Sequence, residues 1–521
     1  MPFWLRKTAR RISFSGSTLI VLALAGCKIG PTFVPPRQDE AAKPWAPRAG
    51  HFEAQPIASH VVPEPTEASW WSSFTDPVLT SLEQRVAANN LDVQTATVRL
   101  AESRAQLGGT RAALFPSLNG AASYQRLKPV SDRSLQVGLG KAGLNGLLAE
   151  SGQKIEVPPI DYFRYGIDAS WEIDLWGRVR RHIEAGEAQI QQNQEARRAT
   201  LVSAMAEVAL DYMRLRNVQA DIDIVRRNAE VARQNLNLAR QRQTGGLGSD
   251  LDVQNARAQL ALTESALPAL ETQQTALINA LSLLLGQAPQ ALSGELIVPR
   301  PVPPVPPRVP VGLPSDLVRR RPDVRQAEAT LHEATANIGV AEASFLPRVI
   351  INANLMMSAL TFADMGNWGS NTYGIGPMIT LPIFEGGRLK ANLDMATQQQ
   401  KEAAIAYRKT VLQAFHDVSN AMAAYEDEQR RNEALRQSVD ADRRAVGLAQ
   451  NAYRNGLVTF LDVLNAERQL LAAERDLADS DAAISTNLVQ LYKALGGGWE
   501  NDAPVSLPIP VGNASSPVKA Q

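Results

Sequence analysis

From Phe163 to Leu175 apolar and polar residues alternate without a break. Phe163, Tyr165, Ile167, Ala169, Trp171, Ile173 and Leu175 fall on one side, and Arg164, Gly166, Asp168, Ser170, Glu172 and Asp174 on the other. A period of two held that long predicts a strand with one apolar and one polar wall. Leu118, Gly120, Ala122 and Tyr124 alternate in the same way with Asn119, Ala121, Ser123 and Gln125. Val349, Ile351, Ala353, Leu355 and Met357 form a third such run, and Tyr373, Ile375, Ile379, Leu381 and Ile383 a fourth. Strands are therefore expected at about 115–127, 161–176, 346–358 and 372–384, with loops at about Leu127–Asp161 and Ser358–Thr372. The pattern alone also fits a half-exposed sheet in a soluble sandwich. Tyrosines and tryptophans near the strand ends favour a membrane barrel, whose aromatic girdles lie at both interfaces.

Between these runs the period changes to that of helices. Trp70 to about Leu114 reads as helical, with a start signal at Asp76-Pro77 and a stop at Phe115-Pro116. Arg178–Gln243 and Arg388–Asn455 contain no proline. As helices they would rise about 99 and 102 Å, far beyond the ~11–12-residue mean of globular proteins. Each is followed by a glycine turn (Thr244–Asp250; Arg454–Phe460) and a returning helix of about half the length, ending at Leu285-Gly286 or Leu495-Gly496. The helices that precede the strand pairs, Ser81–Leu114 and Asp323–Phe345, are also about half-length.

The chain contains itself twice. Gly246, Leu247, Leu251, Asp252, Val253, Asn255, Ala256, Gln259 and Leu260 recur 210 positions later as Gly456, Leu457, Leu461, Asp462, Val463, Asn465, Ala466, Gln469 and Leu470. Gly177-Arg178 and Leu285-Gly286 recur at the same offset. A period this long means two copies of a large unit, not a short-repeat solenoid. The expected organisation is residues 1–26, a signal; 27–69, a tether rich in Pro and Ala; 70–297, the first repeat; 298–314, a Pro-rich linker; 315–498, the second repeat; and 499–521, a disordered tail.

Composition adds limits. The 521 residues are 45% apolar and 20% charged, with equal numbers of cations and anions (53 each). Nothing in that balance points to nucleic acid. Removing residues 1–26 takes four cations and no anions, so the remainder carries 49 − 53 = −4. Arg6, Lys7, Arg10 and Arg11 form a basic leader and Ser17–Ala25 a short apolar stretch. It ends in Leu24-Ala25-Gly26-Cys27, and Cys27 is the only cysteine. That tetrapeptide resembles a bacterial lipobox, which implies cleavage before Cys27, an S-diacylglycerol on its thiol and an N-acyl group. Lys28 is not the Asp that retains lipoproteins at the inner membrane, so the outer membrane is implied. No later stretch approaches the ~20 apolar residues of a spanning helix. A membrane crossing must then use strands. Four strands per chain cannot close a barrel, because bilayers tolerate no open sheet edge and bacterial barrels start at eight strands. Two copies would supply eight strands and three would supply twelve.

The residues now support a specific resemblance. Cys27–Pro35 (CKIGPTFVP), Trp70–Leu79 (WWSSFTDPVL), Arg321–Val349, Leu381–Arg388 (LPIFEGGR), Tyr453–Gln469 and Ala494–Trp499 (ALGGGW) resemble the TolC/OprM-type outer-membrane factors of the NodT-like lipoprotein group. The fold class this implies is mainly α with a membrane β-barrel: long antiparallel hairpins forming an α-barrel, four strands per chain in a shared transmembrane barrel, and an internal two-fold repeat. It implies a homotrimer, a periplasmic adaptor, an inner-membrane RND transporter and contact with outer-membrane lipids. It also implies an equatorial belt that would include the Pro-rich joint and the C-terminal segment.

The resemblance further assigns roles at the helical turns. Gly245, Gly246, Leu247, Gly456 and Leu457 would be the periplasmic tips that meet the adaptor. Leu461 matches an apolar constriction. Asp462 matches an acidic entrance ring, in which neighbouring carboxylates would favour cations and raise one another's pKa. Asn465 stands where the family pattern has a second acid. Tyr453 and Asp252 match a hydrogen-bonded pair that holds the coils closed, while the family's arginine partner is Val458 here. Helix capping is the structural alternative for Asp252 and Asp462, and packing for Leu251 and Leu461.

Other chemistry is weakly signalled. Gly138–Gly143 matches G-x-G-x-x-G but lies in a strand-to-strand loop with no following helix. His51, His60, His182, His332 and His416 lack metal-ligand spacing, and no cofactor other than the lipid is expected. The reading is a non-enzymatic exit duct for small toxic compounds. A type I protein-secretion duct and a non-conducting envelope lipoprotein are the alternatives.

Overall fold

The computed structural model describes residues 28–36, 58–128 and 159–500. In chain order the elements are β1 (His60–Val62), a 3-10 turn (Trp70–Phe74), α1 (Pro77–Asn89), α2 (Leu91–Ala112), β2 (Ser117–Leu127), β3 (Ile160–Ile173), α3 (Arg178–Thr244), α4 (Asp250–Ser265), α5 (Leu267–Leu284) and α6 (Ser293–Leu296). There follow β4 (Arg308–Pro310), α7 (Pro314–Arg320), α8 (Pro322–Ala343), β5 (Arg348–Ala359), β6 (Asn371–Thr380), α9 (Arg388–Arg454) and α10 (Phe460–Ala494). The fold is mainly helical. Its described residues fall into two compact units, and each draws on both sequence halves: 28–33, 104–128, 159–187 and 332–401 form one, the other described residues the second.

The first unit contains a four-stranded antiparallel sheet in the order β2-β3-β5-β6. Register places Asn119, Asp168, Asn354 and Gly374 in one row across the strands, and Leu118, Ala169, Ala353 and Ile375 in the next. Polar and apolar rows therefore alternate between the two faces. Among the described residues much of the apolar face is uncovered, with Tyr373 81% and Ile375 78% exposed, while Phe163 meets the Phe362 ring (centroids 5.8 Å apart). β3 stops at Ile173, earlier than its alternation suggests, because Asp174 turns to accept the N–H groups of Val179 and Arg180 at the start of α3 (3.0 Å each). β6 ends at Thr380, before Pro382, which has no N–H for a ladder. The expected strand continuation Leu381–Ile383 is instead an exposed connection to α9.

The second unit is built on α3 and α9, each 67 residues long and so about 100 Å. Two half-length helices anticipated as single elements are divided. Asn90 separates α1 from α2: its Oδ1 accepts from Asp92 N and Val93 N (3.0 and 3.1 Å) while its Nδ2 donates to Leu284 O (2.8 Å). Pro268 interrupts the return from the first turn, giving α4 and α5, whereas α10, with Ala478 at the corresponding position, is continuous. Pro322 opens α8 after the short α7, and the helix expected at Asp323–Phe345 is one element there.

The core of this unit centres on Trp70, Phe74, Leu79, Leu82, Tyr212, Leu215, Tyr425 and Tyr492. The Trp70 and Tyr492 rings stack with centroids 5.3 Å apart. The Pro-rich joint is more than a linker: β4 pairs in parallel with β1, which belongs to the expected tether. The adjoining Ser59 is buried, accepting a hydrogen bond from Tyr425 Oη (2.7 Å) and donating its N–H to Gln429 Oε1 (3.0 Å). Trp499 and Glu500, assigned to the tail from sequence, are docked too. Trp499 Nε1 donates to Arg320 O (3.2 Å), Arg198 lies 4.3 Å over its ring, and Glu500 pairs with Arg320 (2.7 Å).

One carboxyl group in this core stands alone. Glu83 on α1 is fully buried, and neither carboxyl oxygen has a hydrogen-bond partner. Burial pushes its pKa well above the usual 4.5. The folded chain thus keeps a proton that the unfolded chain releases. The associated stability is complete below the unfolded value and is lost as pH rises toward the folded one. We expect Glu83→Gln to remove about 1.4 kcal/mol of stability loss per pH unit across that window. Unfolding followed between pH 5 and 8 checks this, and identical slopes for wild type and variant would refute it.

Candidate functional site

The two turns that end α3 and α9 have the same hydrogen-bond pattern at positions 210 apart. Leu247 N donates to Arg242 O (2.8 Å) and Gly246 N to Gln243 O (3.0 Å); Leu457 N donates to Ala452 O (2.9 Å) and Gly456 N to Tyr453 O (3.0 Å). These are Schellman caps, which need a residue in the left-handed region. Gly246 and Gly456 supply it at φ +71° and +76°. The motif turns the chain sharply and leaves Leu247 and Leu457 projecting, both exposed, with Gly245 beside them in the first turn.

The returning helices start on capping boxes. Ser249 Oγ accepts from Asp252 N (3.2 Å), and the Asp252 carboxylate accepts from Ser249 N (3.3 Å). Asp462 Oδ2 accepts from both the N–H (2.8 Å) and the hydroxyl (2.6 Å) of Thr459. Those bonds hold the Asp462 carboxyl below its usual range. Within the chain this shift is opposite to the upward shift anticipated for a carboxylate ring. Leu461 (54% exposed), Asp462 and Asn465 share an exposed side of α10, and Leu251 is exposed as well. Packing within the chain therefore does not account for either leucine.

Behind this surface the two hairpins meet in an apolar cluster. Leu236, Ala239, Val253 and Ala256 of the first pack with Tyr453, Phe460, Val463 and Leu464 of the second. The anticipated Tyr453–Asp252 hydrogen bond is not formed. Tyr453 Oη is buried without a partner, and the Asp252 carboxylate is occupied by its own cap. Burial, then the negative charge of Asp252, raise the Tyr453 pKa against the opposing charge of Arg242.

Arg242 makes the polar link nearest the turns; further up, Asn235 Nδ2 donates to Glu467 Oε1 (2.5 Å) and Arg468 Nε to Gln259 Oε1 (2.8 Å). Arg242 Nη1 donates to Tyr453 O (2.7 Å) and Arg454 O (3.2 Å), and its guanidinium lies 4.6 Å over the Tyr453 ring. Val458, which replaces the anticipated arginine, packs against the apolar cluster. A cation from the opposite hairpin thus takes the linking place. In the sequence Arg242 is one of several arginines near a helix end, and nothing in its spacing singles it out.

The remaining candidates are dispersed. Cys27 and Gly138–Gly143 lie outside the described residues. His332 Nε2 is 3.3 Å from Glu184 Oε1, and no cluster that could hold a metal occurs among the described residues. A cavity of about 480 Å³ borders Arg321, but that guanidinium is engaged by Asp323 (2.6 Å), Asp417 (3.1 Å) and Ala494 O (3.0 Å). No described helix is long and apolar enough to cross a membrane.

Known proteins align with this chain along most of its length. Probable efflux pump outer membrane protein TtgC of Pseudomonas putida is 31% identical over 484 residues, covering 91% of this chain and 93% of the relative. Outer membrane protein OprJ of Pseudomonas aeruginosa is 31% identical over 501 residues, 95% and 97% of the two chains. The solved outer-membrane channel OprN is 30% identical with a TM-score of 0.77, covering 91% of this chain and all of that one. A solved CusC structure is 26% identical with a TM-score of 0.76 and the same coverage. Residues 82–287 and 313–497 match the family described as outer membrane efflux protein. With two long helical hairpins, an open-edged sheet and relatives that align along nearly the full chain, this protein belongs to the outer membrane efflux protein family.

Proposed function

We propose that the chain is the exit duct of a tripartite efflux pump, passing small toxic compounds across the outer membrane with energy supplied by an inner-membrane RND transporter through a periplasmic adaptor. The observation that carries this reading is the sheet β2-β3-β5-β6. Among the described residues both edges are unpaired and much of its apolar face is exposed, a state tolerable in lipid only if other copies close the barrel. Three copies would give a twelve-stranded barrel, and the paired halves of each chain would supply the hairpins of a common tunnel. Asn119, Asp168 and Asn354 would face a wet lumen. A lipid on Cys27 would add a second attachment to the outer membrane.

The turns serve as the gate in this reading. Leu461 would narrow the pore, Asp462 would form the acidic ring and Asn465 would leave it less negative than a two-acid pattern. Gly245, Gly246, Leu247, Gly456 and Leu457 would present the adaptor-contacting tips. Arg242 would latch the hairpins in place of a Tyr453–Asp252 bond. Within the chain Thr459 holds the Asp462 carboxyl low, which favours an entrance ring that is charged at neutral pH. Asp462→Ala should lower the cation-to-anion permeability ratio in planar bilayers at neutral pH. An unchanged ratio would remove the entrance-filter role.

The duct itself is tested by a susceptibility panel of dyes, detergents and antibiotics on a strain lacking the protein, with and without the wild-type copy. Restored resistance is the expected result. No restoration, together with no conductance from the purified assembly, would overturn the reading.

A further inference from the structure

The helical unit holds a cavity of about 480 Å³ where α8 begins and α10 ends, with residues of α3 and α9 completing its wall. Two opposite charges face it. Arg321 stands between two carboxylates: its Nε and Nη2 donate to Asp323 (2.9 and 2.6 Å), and its Nη1 donates to Asp417 Oδ2 (3.1 Å) and Ala494 O (3.0 Å). Asp417 Oδ1 accepts from Gln413 Nε2 (2.7 Å). One guanidinium against two carboxylates leaves one negative charge in excess. That charge is open to solvent, because the Asp323 and Asp417 side chains are 40% and 34% exposed whereas Arg321 is 11% exposed.

Lys493 borders the same cavity from the last turn of α10. The negative end of the helix favours a cation at that position but supplies no counter-ion, and among the described residues Lys493 has no ion-pair partner. Ser203, Asn420 and Gln490 add side-chain donors to the wall, none of them engaged among the described residues. The apolar part is made of small side chains, Ala199, Val202 and Ala421. The charged part is preformed. Gly496 (φ +69°) packs on Arg321 so closely that a Cβ there would lie 2.7 Å from Arg321 Cγ and 3.0 Å from its Cα. The guanidinium, held on that side by backbone, keeps both carboxylates in place before any ligand arrives, which lowers the ordering cost of binding.

We infer that this cavity binds zwitterionic amphiphiles, with a protonated amine against Asp323 and Asp417, an anionic group on Lys493 and an apolar body on the small-residue wall. Each charge of such a ligand meets an unneutralised charge of the protein. A monocation or a monoanion meets one and leaves the other to water, so the arrangement discriminates by charge pattern rather than by net charge. The inference rests on the exit-duct reading for its purpose, a class of cargo held in transit. Binding itself is independent of transport and can be measured without it.

Three fluorescent probes that share one ring system test this: Nα-dansyl-lysine, a zwitterion; dansylcadaverine, a cation; and dansyl-norleucine, an anion. Each is titrated by fluorescence anisotropy into the purified full-length protein in nanodiscs, with empty nanodiscs as the blank. The zwitterion should bind roughly fivefold tighter than either singly charged probe. Lys493→Gln should bring the zwitterion down to the affinity of dansylcadaverine and leave dansylcadaverine unchanged. Ser203→Tyr, which fills the cavity at a side chain that holds no other group, should weaken all three. Equal affinities of the three probes for wild type, a zwitterion affinity unmoved by Lys493→Gln, or binding unmoved by Ser203→Tyr would each overturn the site. Failure of the susceptibility and conductance tests would overturn the exit-duct reading instead, and the probe affinities would still show whether the cavity selects zwitterions.

Discussion

Arg216→Ala is expected to lower the stability of the helical unit by about 3–5 kcal/mol, the loss associated with stripping one partner from a buried charged network. Arg216 is fully buried near the middle of α3. Its Nη1 donates to Gln219 Oε1 (2.7 Å) and Val298 O (3.0 Å), its Nη2 donates to Tyr212 Oη (3.2 Å), and its guanidinium sits 4.6 Å over the Tyr212 ring. Tyr212 Oη in turn donates to Asp76 Oδ2 (2.7 Å), the residue that caps α1. Truncation would leave buried acceptors without donors, open a cavity and disconnect the start of the Pro-rich joint from α3. Denaturant unfolding of the solubilised protein, read by tryptophan fluorescence, provides the measurement. A midpoint within error of wild type would show that the network is dispensable.

If the turns form the proposed gate, Arg242→Ala should open the channel. A hydrogen bond to a charged group contributes about 1.5–3 kcal/mol, and this half-buried guanidinium makes two, so the lower end of that range is the appropriate scale. Each 1.4 kcal/mol corresponds to a factor of ten, and the ratio of open to closed channels is expected to rise roughly tenfold. The sign follows from geometry: Arg242 belongs to the first hairpin and its acceptors Tyr453 O and Arg454 O to the second. The link resists their separation. Single-channel recording of the purified protein in planar bilayers gives the readout. Tyr453→Phe should have little effect, because the Tyr453 hydroxyl makes no hydrogen bond. If Tyr453→Phe opened the channel and Arg242→Ala did not, the latch would have been assigned to the wrong side chain.

These two arginines show where local reading stops. Arg214 and Arg216 are two residues apart on one helix, yet Arg214 pairs at the surface with Glu207 and Asp211 whereas Arg216 is in the core. Helical spacing places Arg214 on a polar stripe with Ser203, Glu207 and Asp211, but nothing local names the carbonyl of Val298, 82 positions on, that Arg216 bonds. Arg242 is similar: its partners follow 211 and 212 residues later. Asp252 and Asp462 were more legible, since a Ser or Thr three residues before an Asp at a helix start encodes a capping box.

The sequence by itself determined the elements. Alternation over Phe163–Ile173 required a strand with unlike faces, the proline-free stretches after Gly177 and Gly387 required very long helices, and Gly246 and Gly456 required sharp reversals between helices. Each depends on residues within a few positions of one another, so local sterics and hydrogen bonding suffice to write it into the chain. Tertiary structure decided the pairings: β3 against β5, Ser59 against Tyr425 and Gln429, Arg242 against the opposite hairpin, and Ile29 and Gly30 against Arg181. Those choices depend on which distant carbonyl, ring or glycine is brought within about 3–5 Å, the range over which hydrogen bonds and ring contacts act. Composition carries no trace of them, and for that reason a segment that reads as loose tether is bonded through Ile29 and Gly30 to Arg181.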